Sequence, residues 1–155
     1  MESSVTRLEH ALVRLLRMGN LQRVHDRLVR RAGVRVERGP YLVLAAIGDA
    51  ESLRLSNVAK QLGIDLSTAS RHVSRLCELG LLERATDVTD HRAAQLTLTG
   101  AGRQALDDLR AARHLALTEL LGGWKPSDLD RLAGYLERLN TDLIDRVGAE
   151  QGDER

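Results

Sequence analysis

Between Leu53 and Gly100 two short helical patterns meet at a glycine, and an alternating segment with a charged tip follows them. Val58, Ala59 and Leu62 recur at helical spacing up to Gly63, which supplies the positive φ that ends a helix. Ser56 is read as the N-cap of that helix and Asp65 as the N-cap of the next. In the second helix Ala69, Val73, Leu76 and Leu79 repeat at three or four residues, and Gly80 stops the pattern. Its other face carries Ser67, Thr68, Ser70, Arg71, Ser74 and Arg75. Strands are predicted over 82–86 and 93–98. In the second strand Leu96 and Leu98 alternate with Gln95 and Thr97, a period of two with one buried face. A helix of this kind suits the DNA major groove, and a ribbon beside it suits a neighbouring groove.

The flanks read as helix. Ser3 and Ser4 can cap a long amphipathic pattern that runs from Val5 to Leu28. Pro40 suits the first turn of a nearly all-apolar helix from Tyr41 to about Asp49, with a short strand at 52–55. Thr99 caps a helix to about Leu121, with Leu106, Leu109, Ala112, Ala116, Leu117 and Leu120 on one side. Pro126 and Ser127 open a last helix, where Ser127 and Asp130 resemble a capping box. Leu129, Leu132, Leu136, Leu139 and Leu143 then form a coiled-coil-like seam, and 148–155 is read as a frayed tail.

Composition narrows the class. The 155 residues are the size of one domain, and 43% apolar content is enough for a core. Aromatics are only 2%, so packing rests on Leu, Val and Ala. The net charge of +1 conceals an asymmetry, because residues 1–38 hold nine arginines against four acids. A local basic patch binds phosphate whatever the total charge. A lone Cys77 excludes an intrachain disulfide. No signal peptide and no membrane-length apolar run is found, so a cytoplasmic location and no membrane partner are expected. Phosphate-loop, H-E-x-x-H and G-x-S-x-G patterns are missing, which argues against an enzyme. The five histidines are scattered, so neither a metal nor a cofactor is expected.

The order of elements, together with Leu62-Gly63, Ser67 to Arg71, Arg75-Leu76, Gly80 to Arg84, Asp87, Asp90-His91-Arg92 and Leu96 to Gly102, resembles the MarR family of bacterial transcription regulators. The resemblance covers nearly the whole chain. It implies a mainly α fold with a small β-wing: a winged helix-turn-helix at about 40–100, and dimerisation helices at about 3–32 and 100–147, within a single MarR-like domain. It also implies a cytoplasmic homodimer that represses a nearby operon and is released by a small molecule or by oxidation. Two departures stand out. Val88 occupies the wing's usual proline position, and His91 replaces the first of two arginines, so fewer wing contacts are expected. Redox-sensing members carry a cysteine near the N-terminus, and none is here.

Arg71 is the expected base reader, through two hydrogen bonds to guanine O6 and N7, with a phosphate contact as the alternative. Ser67, Thr68, Ser70 and Ser74 are candidate DNA contacts on the same helix. Arg75 either meets phosphate or pairs with Glu78. By resemblance, Asp90 positions Arg92 for the minor groove, with His91 beside it; the alternative is a solvated turn. Arg54, Lys60 and Arg84 are candidate backbone contacts or ordinary surface charges. Resemblance places an effector crevice near the dimer interface, with His25, Tyr41, His114 and Trp124 as candidates and an anionic or aromatic effector. Cys77 is read as a small core residue. The rival class is a helical dimer adaptor whose winged part binds protein instead of DNA.

Overall fold

The computed structural model describes residues 3–17, 20–86 and 94–150. In chain order they form α1 (Ser4–Arg17), α2 (Asn20–Ala32), α3 (Arg38–Ala50), β1 (Ser52–Arg54), α4 (Leu55–Leu62), α5 (Leu66–Glu78), β2 (Leu82–Thr86), β3 (Ala94–Leu98), α6 (Gly100–Leu120) and α7 (Pro126–Glu150). The chain divides into two compact units, Met1–Ala116 and Leu117–Arg155. The predicted strands of the wing are present, and its tip, with Asp90, His91 and Arg92, lies outside the described residues. The single long pattern at the N-terminus is occupied by two helices, α1 and α2; residues 18 and 19 between them are also outside the described set.

The core of the first unit gathers one apolar face from each element. Leu44 and Ile47 of α3, Val58 of α4, Val73 and Leu76 of α5, Leu96 of β3 and Leu106 of α6 are all sealed from solvent. Each such side chain contributes about 1.5–3 kcal/mol on burial. The strands form an antiparallel sheet in the order β1-β3-β2, with Leu53 opposite Leu96 and Leu82 opposite Leu98. The three residues of β1 thus extend the ribbon into a sheet.

Two helix stops aim the pieces. At the end of α5, Gly80 sits at φ +69. Its N–H donates to the Cys77 carbonyl at 2.9 Å and the Leu81 N–H to the Leu76 carbonyl at 2.9 Å, a Schellman stop. Gly63 makes the same motif after α4, with Ile64 N–H on the Ala59 carbonyl at 3.1 Å. Thr99 then locks the start of α6. Its Oγ1 donates to the Gly80 carbonyl at 2.6 Å and accepts from the Gly102 N–H at 3.0 Å. A Cβ on Gly102 would collide with the Leu81 carbonyl oxygen, so only glycine allows α6 to dock on this turn.

Two cap assignments and one burial expectation change. The N-cap of α4 is Arg54, not Ser56, because β1 runs straight into the helix and Arg54 is still extended at ψ 151. The Lys125 carbonyl accepts from the Leu129 N–H at 3.2 Å, so α7 starts with Pro126 in its first turn and Ser127 lies inside the helix, not at its cap. Leu79, expected to face inward, is 36% exposed, because α5 ends one residue earlier.

Candidate nucleic-acid interface

The exposed face of α5 is organised from its first residue. Asp65 precedes the helix in extended geometry, and its carboxylate accepts from the Thr68 N–H at 2.8 Å. The hydroxyls of Ser67 and Thr68 also donate to it, the latter at 2.7 Å. These bonds, that of Ser67 first and then those of Thr68, hold the carboxyl well below the usual carboxylate range. Arg71 Nη2 in turn donates to Thr68 Oγ1 at 3.2 Å. A helix cap is thereby continuous with the arginine one turn later. Arg71 is exposed, and its remaining N–H groups keep the fork geometry that fits a guanine edge or a phosphate.

Beside Arg71, Ser67 is exposed, and Thr68, Ser70 and Ser74 are half-buried toward the edges of the helix. Of the two readings of Arg75, the pair is the one seen, with Nη1 at 3.3 Å from Glu78 Oε2 and both side chains more than half exposed. Such a surface pair is worth about 0–1 kcal/mol and leaves the guanidinium able to exchange partners. Lys60 and Arg84 are exposed on α4 and β2, and Arg54 is half-buried at the junction of β1 and α4. Cys77 packs partly buried against the core. Among the described residues no three His, Cys, Asp or Glu side chains gather as a metal site.

The four effector candidates separate. His25 and Tyr41 come together, both buried, with ring centroids 5.2 Å apart. His25 Nε2 lies 3.0 Å from the Val36 carbonyl; a carbonyl has no proton to give, so Nε2 carries the hydrogen. His114 is exposed on α6, and Trp124, 49% exposed, belongs to the second unit. Sequence reading missed Arg113, whose guanidinium lies 5.0 Å from the Tyr41 ring centre, within cation–π range. The available signal was helical spacing, since Arg113 falls four residues after Leu109 on the buried face of α6.

Residues 36–93 match the family model described as MarR family. The uncharacterized HTH-type transcriptional regulator YxaD of Bacillus subtilis is 28% identical over 120 residues, 77% of this chain and 83% of that one. The tRNA modification GTPase MnmE of Pseudomonas putida is 36% identical over 90 residues, but that match spans only 20% of its length. The fold is that of a MarR family protein from Bacillus stearothermophilus, with a TM-score of 0.77 at 15% identity over 93% of this chain and 99% of that one. With its helix-turn-helix, wing strands and flanking helices in this order, the chain has the fold of MarR family proteins and matches the MarR family model across its winged part.

Proposed function

We propose that the protein is a homodimeric repressor that reads a pseudo-palindromic site near its own gene through α5 and is released by a small effector. The observation that carries this reading is the Asp65–Thr68–Arg71 chain, which presents an oriented, exposed arginine on the outer face of a helix otherwise fixed in the core. Ser67, Thr68, Ser70 and Ser74 would add polar contacts, with Arg75, Lys60, Arg54 and Arg84 serving the phosphate backbone. Asp90, His91 and Arg92 would serve the minor groove. In the dimer, two copies of α5 would sit roughly 34–36 Å apart, one turn of duplex.

Dimerisation is supported by the apolar side chains left open at the helical ends. Val5 and Leu8 of α1, Leu120 of α6, and Leu136 and Leu143 of α7 are 48–75% exposed. For the effector, the Arg113 cation, the Tyr41 ring and the His25 imidazole supply chemistry for an aromatic or anionic molecule.

Footprinting of the intergenic region tests the main claim. A protected, roughly twofold-symmetric site is expected. Arg71→Ala should cost about 1–3 kcal/mol there and flatten preference at one base pair. An equal loss on every sequence would reduce Arg71 to a phosphate contact, and no selective binding would remove the regulator reading.

A further inference from the structure

The connection between α2 and α3 is built more firmly than a loop of its length requires. Residues 34–37 alternate, with Val34 and Val36 turned inward and Arg35 and Glu37 outward. Val36 is 3% exposed, and its carbonyl is held by buried His25. At the far end, Gly39 lies against α5, since a Cβ there would stand 2.6 Å from the His72 ring. His72 is half-buried, one turn after Thr68 and three residues before Arg75. At 3.6 residues per turn this puts it on the edge of α5 between the core stripe and the exposed face.

The connection therefore brings Arg38, the first residue of α3, to the flank of α5, with Arg35 three residues before it. Arg38 adjoins Gly39, and consecutive Cα atoms are about 3.8 Å apart. Arg35 projects from the same pinned segment and is exposed, as is Arg38. Among the described residues neither guanidinium makes an ion pair, a hydrogen bond or a ring contact. Glu37 lies between the two arginines in the chain, and on α5 Arg75, three residues after His72, is already paired with Glu78. When a helix lies in the major groove its flanks face the phosphate strands that border the groove.

We propose that Arg35 and Arg38 form a phosphate-binding pair on the flank of α5, extending the contact with the DNA backbone beyond the helix-turn-helix and the wing. This rests on the DNA-binding reading above. The role is positional: a backbone pinned by Val36, His25 and Gly39 holds the two charges in place at little entropic cost. Such contacts carry no sequence information themselves and set how the reading helix sits.

The test is the salt dependence of binding to the footprinted site and to unrelated duplex, by fluorescence anisotropy of the full chain. The Arg35→Gln/Arg38→Gln double variant should lower the slope of log K against log salt by about 2 per protomer, since each phosphate contact contributes about 0.9. Affinity should fall on both duplexes alike, with sequence preference intact. Arg35→Lys/Arg38→Lys should restore the slope. Arg27→Gln/Arg30→Gln removes the same charge from exposed positions farther back on α2 and should leave the slope in place. An unchanged slope in the first variant, or equal losses in the two glutamine variants, overturns the proposal. If the wild type shows no salt-dependent DNA binding at all, the underlying reading fails with it, and that result is separable from the others.

Discussion

On the inner face of α5, Ala69, Val73 and Leu76 are fully buried, whereas Leu132, Leu136 and Leu143 along α7 are 37%, 48% and 52% exposed. Both helices announce themselves in the sequence by the same three-four spacing of apolar residues. Periodicity shows that a helix has a face to cover and leaves open what covers it. The winged part supplies its own cover, with α3, α4, β3 and α6 all contributing to one cluster around α5. The terminal helices do not, and contiguous exposed apolar residues on a helix are the usual sign of a partner. The contrast separates a winged part whose core is complete in one chain from terminal helices with open apolar faces, which the dimer proposal assigns to a second copy.

The largest expected effect comes from attacking the arms. Leu136→Glu/Leu143→Glu places charge on the open seam of α7, where both side chains are about half exposed. Under the dimer proposal this variant sediments as a single chain. Its affinity for the full site falls about 10²–10⁴-fold, because the second half-site no longer benefits from linkage to the first. The winged part should keep its fold, since those residues take no part in its core. A variant that remains dimeric would place the contact elsewhere and dissolve the contrast.

A smaller effect tests the closure of the reading head itself. Gly102→Ala drives a methyl group into the Leu81 carbonyl and must lift the start of α6 from the turn that Thr99 fastens. A loss of about 1–3 kcal/mol in unfolding free energy is expected from that overpacking. Gly100→Ala is the matched control. A Cβ there meets nothing within 4 Å, so the change should be neutral or stabilising by less than about 1 kcal/mol. Equal denaturation midpoints for the two variants would mean that this turn is not a rigid part of the head.

The sequence was most readable where one residue type serves one local need. Gly63, Gly80, Asp65 and Thr99 each act as their chemistry suggests, because caps and stops are settled within a few residues. It was least readable where the answer depends on a distant segment. The pairing of Ser52–Arg54 with β3 joins residues more than 40 positions apart, and Arg113 reaches Tyr41 from another helix. Ser56 and Ser127 failed as caps for a related reason. Each is a good capping residue one or two places too late, and the preceding strand or proline had already begun the helix. Of the candidate site, the exposed face of α5 was visible from polarity alone. The link from Asp65 through Thr68 to Arg71 required the actual rotamers.

That link gives the subtlest test, and it turns on acid. The hydrogen bonds from Ser67 and Thr68 depress the Asp65 carboxyl in the folded chain, whereas the unfolded chain has the ordinary value near 3.9. A depressed acid stabilises the fold fully above the unfolded pKa and ceases to do so as pH falls through the folded one. Asp65→Ala should therefore melt below the wild type at pH 7. The gap should hold down to about pH 4 and close in stronger acid as the wild type gains its proton. The same variant frees Thr68 Oγ1 from its acceptor and leaves Arg71 less well placed, so specific DNA affinity should fall more than non-specific affinity. A gap in melting temperature that ignores pH would assign the cap to shape and not to charge. A uniform loss of affinity would show that the arginine does not depend on the helix start for its aim.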